Sequence, residues 1–174
     1  MTLETYRKLS DLPESIPVFP LSGVLLFPRW SLPLNIFEPR YLNMIDDAMS
    51  GHRIIGMIQS NSDDRVHPSL AKTGCAGRIT SYSETDDGRY LISLTGICRF
   101  HIHEELALET PYRQVRADWQ PFALDLAAPV ENSLPDRLVL VNSLKRYTQI
   151  NSMEVDWEAV EHAPMETLIN ALCA

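Results

Sequence analysis

The chain has 174 residues, 45% of them hydrophobic, and a formal net charge of -8 at pH 7. This length suits one domain, or a domain with a small appendage, that folds without disulfides or metals. The cysteines Cys75, Cys98 and Cys173 lie far apart and form no Cys-x-x-Cys pair, which argues against a disulfide framework or zinc knuckle and favours a reducing cytoplasm.

The distribution of charge and hydropathy limits the classes of partner that the chain can bind. Residues 118–174 carry nine acidic and three basic side chains, and the whole chain has only Lys8, Lys72 and Lys145 as lysines. Nucleic-acid binding depends on clustered Lys and Arg, so a nucleic-acid partner is disfavoured. Every apolar run is broken by proline or charge well before eighteen residues, and no charged segment precedes an apolar run at Met1, so no membrane association is expected.

Residues 16–41, IPVFPLSGVLLFPRWSLPLNIFEPRY, are strongly apolar but contain Pro17, Pro20, Pro28, Pro33 and Pro39. Because proline lacks a backbone N–H, neither a long helix nor a central strand can run through this stretch. The pattern predicts short strands at residues 16–19, 24–27 and 32–37, joined by fixed corners. Such a series begins a small curled sheet or barrel.

A helix is predicted over residues 39–50, with Pro39 in its first turn and Gly51 just beyond its end. Its apolar side carries Tyr41, Leu42, Ile45, Ala48 and Met49. Glu38 and Arg40 flank Pro39, which predicts a cap and an ion pair at the start of the helix.

The middle of the chain predicts strands at residues 53–59, 73–83, 90–104 and 112–122, the last anchored by Tyr112, Val115 and Trp119. The Asp87-Gly88 pair marks a hairpin turn between the second and third of these strands. Residues 60–72 are predicted to be a polar and mobile loop.

Residues 125–133 are predicted to be a linker, after which the apolar period changes from two to three or four. Helices are predicted from about residue 133, over 156–162 and over 165–174. The last helix has no cap after Ala174, so we expect the native protein to continue beyond it.

Several ordered motifs resemble the N-terminal domain of the ATP-dependent protease Lon. They are VFPL at residues 18–21, VLLFP at 24–28 and LPLNIF at 32–37. EPRY at 38–41, GCAGRI at 74–79, DDGRY at 86–90 and LTGICRF at 94–100 are similar to stand-alone bacterial members of that family. The resemblance implies an α+β fold: a mostly antiparallel PUA-like pseudo-barrel with one helix over residues 12–122, then a helical subdomain over 132–174.

The resemblance also implies a non-catalytic function, because that domain of Lon binds unfolded or tagged polypeptide. We therefore expect a polypeptide-recognition protein, an adaptor or chaperone-like partner of a protease or chaperone in protein quality control. The chain has no G-x-x-x-x-G-K-[ST] phosphate loop and no room for the family's Ser-Lys protease domain, so neither ATPase nor protease activity is expected. No catalytic residue, cofactor or metal is predicted.

Trp30, Leu32, Leu34, Arg40 and Tyr41 are the candidate polypeptide-binding residues. Trp30 lies at a tip between two proline-bounded strands, and exposed aromatic side chains are common binding anchors. Arg40 could hold a ligand carboxylate. The alternatives are a Trp30 folded back onto its own sheet and an Arg40 that braces the helix.

Two other functions compete with polypeptide recognition. RNA binding would need a basic face, for which the candidates are Arg78, Arg89, Arg99, Arg113 and Arg116. A small-molecule enzyme would need Cys75 as a nucleophile, or a site at His101 and His103, which share a strand face with Glu105. The competing interpretations are that Cys75 and Cys98 fill the core and that both histidines are solvent-exposed.

Overall fold

The N-terminal part of the chain forms a sheet and one long helix in the computed structural model, which describes residues 6–60, 69–127 and 135–173. The elements are β1 (Ser15–Pro20), β2 (Ser31–Ile36), α1 (Pro39–Ser50), β3 (Ile54–Ser60), β4 (Leu70–Glu84), β5 (Tyr90–Leu106) and β6 (Gln114–Asp118). Short 3-10 helices lie at Leu9–Asp11 and Gln120–Leu126. The chain divides into two compact units, Met1–Ala127 and Ala128–Ala174.

Strand pairing closes part of the sheet into a ring. The strands lie in the order β2-β5-β4-β3-β1-β6, and β6 also pairs with β5. All pairs are antiparallel except β1 with β3. The first half of β5 pairs with β2 and its second half with β6, so β2, β5 and β4 form an extension beyond the ring. This arrangement confirms the predicted α+β fold with a mostly antiparallel sheet.

The ring encloses the first of two apolar cores. Phe100 is fully buried there, and the Trp119 ring packs edge-on against it with centroids 5.7 Å apart. Gly56 on β3 and Gly74 on β4 face the Phe100 ring, since a Cβ would lie 2.8 Å from it at Gly56 and 2.7 Å at Gly74. The missing side chains therefore make room for Phe100, and the strand anchors Val115 and Trp119 are buried as predicted.

The second core lies on the other face of the sheet, under α1. Alternate residues of β3 divide between the cores, Ile54 and Ile58 in the first and Ile55 and Met57 in the second. Helix α1 has the predicted bounds and buries Tyr41, Met44, Ile45 and Ala48. The rings of Tyr41 and Phe19 lie 4.3 Å apart, which fixes the start of the helix against β1.

The predicted strand at residues 24–27 is wrong. Gly23 and Arg29 bracket the segment with φ angles of 76° and 63°, which are incompatible with a continuous strand. Gln59 takes the place of a strand partner: its side-chain oxygen accepts from the Gly23 N–H at 2.9 Å, and its amide N–H donates to the Val24 carbonyl. Leu26 is buried against Gly77, where a Cβ would lie 2.7 Å from the leucine side chain.

Three predicted boundaries also differ. Strand β4 begins at Leu70, so the predicted loop over 60–72 ends earlier, and residues 61–68 lie outside the described residues. Strand β6 ends at Asp118 rather than at residue 122, because Pro121 cannot donate to a strand ladder and a 3-10 helix forms instead. The predicted linker begins too early, since Asp125 is buried, while residues 128–134 lie outside the described residues.

Asp125 anchors the 3-10 helix Gln120–Leu126 to β5. Its carboxylate accepts from Arg99 three times, from the backbone N–H at 3.0 Å, from Nε at 2.8 Å and from Nη2 at 2.7 Å. Arg29 donates to the Asp125 carbonyl at 2.6 Å. The Asp125 side chain is only 8% exposed, so its charge depends on these donors to offset the loss of water.

The second unit consists of α2 (Arg137–Ile150), α3 (Trp157–His162) and α4 (Met165–Cys173). Asp136 accepts from the Leu138 N–H at 2.8 Å and so caps α2, which begins a few residues after the predicted start near residue 133. Arg137 donates to the carbonyls of Val160, Glu161 and Ala163, which supplies partners for the end of α3. Among the described helices, none is both long and apolar enough to cross a membrane.

We predict that a fragment ending at Ala127 folds without the helical unit, and that a fragment ending at Phe122 is about 2 kcal/mol less stable. The shorter fragment removes Asp125, which leaves the Arg99 N–H and guanidinium without their acceptor. Because the Arg99 side chain is 48% exposed, the cost should stay below that of a fully buried pair. Urea unfolding followed by circular dichroism measures both. Equal stabilities would contradict the anchoring role of Asp125, and two unfolded fragments would show that residues 128–174 complete the core.

Candidate functional site

An open groove of about 390 Å³ lies on the outer face of the three-stranded extension. Two cross-strand rows build it, Pro33–Ser93–Ser81 and Asn35–Leu91–Ser83. Residues paired across neighbouring strands point to the same side of a sheet, so these six share one face. None of them is charged, and three are serines. This face can therefore accept apolar contacts and neutral hydrogen bonds without desolvating a charge.

The opposite face of β2 holds the predicted residues Leu32 and Leu34, and the predicted Trp30 immediately precedes the strand. Side chains alternate along a strand, so Leu32 and Leu34 share a face with buried Ile36. Leu32 and Leu34 pack against the second core and, like Trp30, are partly buried. The structure therefore brings Leu32 and Leu34 together against one core and places Trp30 next to them in the chain.

The outer edge of β2 is open: in the part of the chain that the structure describes, β5 is its only strand partner. The Gly96 N–H donates to the Trp30 carbonyl at 2.9 Å, which sets the hydrogen-bonding phase of this antiparallel pair. By alternation, Leu32 and Leu34 bond inward to β5, while Ser31, Pro33 and Asn35 direct their backbone groups outward. Pro33 has no N–H, but because its backbone groups point away from β5, the pairing of β2 with β5 loses no hydrogen bond.

Two exposed apolar side chains flank this edge, and sequence reasoning missed both. Phe37, just after β2, is 63% exposed, and Leu91 on β5 is 45% exposed. Leu91 pairs with Asn35, so it is a diagonal neighbour of Phe37 on the outer face. The signal was present in the sequence, because Phe37 is the one large apolar side chain in the alternation Ser31, Pro33, Asn35, Phe37.

Glu38 and Arg40 form the predicted ion pair, with Nη2 and Oε2 2.8 Å apart. The predicted side-chain cap is absent, because the Glu38 carboxylate binds Arg40 instead and only its backbone carbonyl begins the helix. The Arg40 guanidinium lies 4.6 Å above the Tyr41 ring. Tyr41 itself is 6% exposed, and burial raises the pKa of its hydroxyl. Arg40 thus covers Tyr41 and is the more accessible of the two.

The cysteines do not form a nucleophilic site. Cys75 is 4% exposed and Cys98 is fully buried. Burial, with a smaller contribution from the Asp125 carboxylate, raises the pKa of Cys98 to about 12 and raises that of Cys75 as well. Since the thiolate is the reactive form, both thiols stay protonated near neutral pH. Their positions favour the core interpretation.

The histidine pair also lacks partners for chemistry. His101 packs edge-on against Phe122, with ring centroids 4.9 Å apart, so its side chain is only partly exposed to solvent. Within the described ranges, no group of three or more His, Cys, Asp or Glu side chains converges as metal ligands.

Four of the five arginines considered for RNA binding are paired with acids, and the fifth donates to a tyrosine. Arg89 pairs with Asp87, Arg99 with Asp125 and Arg113 with Glu105. Arg116 contacts both Glu14 and Glu104, and Arg78 donates to the Tyr6 hydroxyl. These pairs neutralise the charge that a phosphate-binding face would need, so the geometry does not favour RNA.

Comparison with known proteins agrees with the architecture. Residues 15–174 match a family model described as the ATP-dependent protease La (LON) substrate-binding domain. A Lon protease from Desulfosudis oleivorans is 31% identical over 112 residues, which cover 60% of this chain and 14% of the protease. The match is to the substrate-binding domain and not to ATPase or protease domains.

Two solved structures have a similar fold. The Lon N-terminal domain protein from Xanthomonas campestris is 26% identical with a TM-score of 0.51, over 60% of this chain and 59% of that chain. The N-terminal domain of the Mycobacterium avium complex Lon protease is 14% identical with a TM-score of 0.56, over 85% of this chain and 73% of that chain. The second likeness concerns the fold alone.

The buried thiols lead to a prediction about reactivity. At pH 8 the native protein should react with a thiol reagent such as DTNB through the exposed Cys173, whereas Cys75 and Cys98 should react only after unfolding in urea. Absorbance of the released thionitrobenzoate gives the number of accessible thiols. Rapid modification of Cys75 in the folded protein, located by peptide mass mapping, would contradict its assignment to the core and reopen the enzyme interpretation.

Proposed function

The chain belongs to the family of the substrate-binding domain of the ATP-dependent protease La (Lon), and from this premise we propose that its β-rich unit recognises extended polypeptide along the outer edge of β2. The observation that carries the proposal is the combination of an open strand edge with the exposed apolar pair Phe37 and Leu91 beside an uncharged groove. An extended segment could add to such an edge and place alternate side chains on either face.

The side chains around β2 supply contacts on both faces of the bound segment. On the outer face Phe37, Leu91 and Pro33 offer apolar area. On the inner face the exposed parts of Trp30, Leu32 and Leu34 form a rim, and Arg40, held over Tyr41, can reach a carboxylate of the ligand. We propose that Tyr41 contributes by positioning Arg40 rather than by direct contact, since it is almost fully buried.

The backbone of β2 limits how strongly a ligand strand can bind. Of the three outward residues, Ser31 and Asn35 each offer an N–H and a carbonyl, whereas Pro33 offers a carbonyl alone. Because a typical hydrogen bond contributes only about 0.5–1.5 kcal/mol net, the loss of one donor is small but shortens the ladder. Side-chain contacts should therefore supply most of the affinity, and binding should tolerate many ligand sequences.

We propose further that the protein acts without catalysis, as an adaptor that holds polypeptide for a protease or chaperone in protein quality control. The chain spans 14% of the Desulfosudis protease that it resembles, in the region of the substrate-binding domain. The core positions of Cys75 and Cys98 support this proposal, because neither thiol is accessible or activated.

Phe37→Ala and Leu91→Ala should each weaken the binding of an unfolded polypeptide about fivefold, on the order of 1 kcal/mol. Both side chains are exposed, so the free energy of unfolding should change by less than about 0.5 kcal/mol. Fluorescence anisotropy with labelled β-casein measures the affinity, and urea unfolding measures stability. Leu124→Ala is the matched control, because Leu124 is 86% exposed but lies in the 3-10 helix. Equal losses in all three variants, or none, would refute the site.

The substitution Trp30→Ala tests whether Trp30 is a binding anchor or a core residue. We expect the affinity for the same casein probe to fall by on the order of 2 kcal/mol, as at other tryptophan hot spots, because Trp30 is only partly buried and immediately precedes β2. A core tryptophan would instead reduce the free energy of unfolding by about 3–5 kcal/mol. Lost stability with unchanged affinity in the folded fraction would exclude Trp30 from the binding surface.

A further inference from the structure

A second cavity, of about 180 Å³, lies at the C-terminal end of α1. Asp47, His52, Tyr112 and Gln114 give it a polar side, and Ile16, Pro17 and Ile54 give it apolar walls. Its volume corresponds to roughly six water molecules. Apolar walls with one acidic side chain fit an amphipathic ligand that has a hydrocarbon stem and a charged tip.

The charge at this end of α1 departs from the usual preference of a helix. The C-terminal end carries partial negative charge from unpaired carbonyls, and basic side chains normally stabilise it. Helix α1 has Asp46 and Asp47 in its C-terminal half and no basic residue in its last turn. Local rules of this kind are broken mainly at functional sites. Asp46 and Asp47 therefore add negative charge to a helix end that already carries partial negative charge.

Tyr112 fixes the carboxylate in the cavity. Its hydroxyl donates to Asp47 Oδ2 at 2.6 Å, and the tyrosine is 8% exposed. A carboxylate has about four acceptor positions, so this one bond leaves acceptor capacity for a ligand. Among the described residues no Lys or Arg forms an ion pair with Asp47. Arg78 reaches this end of the helix but donates to the His52 carbonyl, at 3.2 Å.

We propose that this cavity binds the side chain of a lysine or arginine in the bound polypeptide, with Asp47 as its counter-ion. The inference rests on the proposed function and adds a basic residue to the ligand. The aliphatic stem would lie along Ile16, Pro17 and Ile54, and the cationic tip would bind the Asp47 carboxylate.

The position of the cavity sets the spacing within the ligand. Phe37 immediately precedes α1 and Asp47 lies in its C-terminal half. With a rise of about 1.5 Å per residue the two are separated by roughly 15 Å along the helix, which an extended chain covers in about five residues. A ligand that reaches both sites should therefore carry its basic residue about five positions from its apolar residues.

Asp46 provides a matched control. It is the neighbour of Asp47 on the same helix and also acts on a tyrosine, because Asp46 contributes, after Tyr82 and burial, to raising the pKa of Tyr90. Asp46 does not line the cavity. Asp46→Asn and Asp47→Asn therefore remove the same charge from the same helix, and only the second removes the proposed counter-ion. Asparagine keeps an oxygen that can accept from the tyrosine.

The experiment uses the full chain and a peptide with a central Leu-Phe pair, joined through Gly-Ser spacers to a test residue about five positions away on each side. The test residue is Lys, norleucine or Glu. We expect the Lys peptide to bind about threefold to fivefold more tightly than the norleucine peptide, and the Glu peptide to bind most weakly, as for an accessible ion pair. High salt should reduce the preference. Isothermal titration calorimetry measures the affinities.

The two aspartate variants then test whether Asp47 causes the preference for the Lys peptide. Asp47→Asn should bind the Lys and norleucine peptides equally, whereas Asp46→Asn should keep the difference. Equal binding of the three peptides to the wild-type protein would overturn the inference even if Asp47→Asn did not fold. A preference that survives Asp47→Asn would also overturn it. If no peptide binds and casein does not bind either, the proposed function itself fails, whereas binding without charge preference refutes only the basic subsite.

Discussion

The close approach of residues 27–28 to Gly96 is the constraint on which the exposed surface of this protein depends. A Cβ at position 96 would lie 1.9 Å from the Phe27 carbonyl oxygen, so only glycine allows this crossing. Gly96 also accepts from the Arg29 N–H at 2.8 Å and donates to the Trp30 carbonyl at 2.9 Å. These contacts turn the chain from the buried Leu26 into β2 and fix the register of β2 on β5. A shift of one residue would exchange the two faces of β2.

In that register, Pro33 and the apolar residues of β2 all occupy positions that suit their side chains and backbone groups. Leu32, Leu34 and Ile36 face the second core, and Pro33 falls on the outward phase, where a missing N–H is harmless. Prolines on edge strands also hinder pairing between copies of a protein. Pro33 therefore leaves an edge that can take a ligand through side chains and a few hydrogen bonds, but that is a poor template for a long ladder.

Sequence patterns predicted the elements that depend on local signals. Pro39 and Gly51 predicted the bounds of α1, and the Asp87-Gly88 turn predicted the hairpin between β4 and β5. The errors arose where long-range contacts decide the conformation. Residues 24–27 have strand composition, but their hydrogen bonds go to the side chain of Gln59, which is distant in sequence. In the same way, Asp125 was predicted to begin the linker. Its partner Arg99 lies on β5, far away in the sequence, so the local pattern gave no sign of the contact.

The candidate site shows a more specific limit of prediction from sequence. Apolar character in an edge strand does not reveal which face of the strand is buried. Trp30, Leu32 and Leu34 were predicted to contact a ligand, and with Ile36 they also form the apolar alternation that a core face requires. The informative residue was the exception on the other face, Phe37, whose exposure has no role in packing. Asp46 and Asp47 are a similar exception, acids where α1 favours bases. Phe37 immediately precedes α1 and Asp47 lies in its C-terminal half, so a polypeptide that contacted both would need an apolar residue and a basic residue at one fixed spacing.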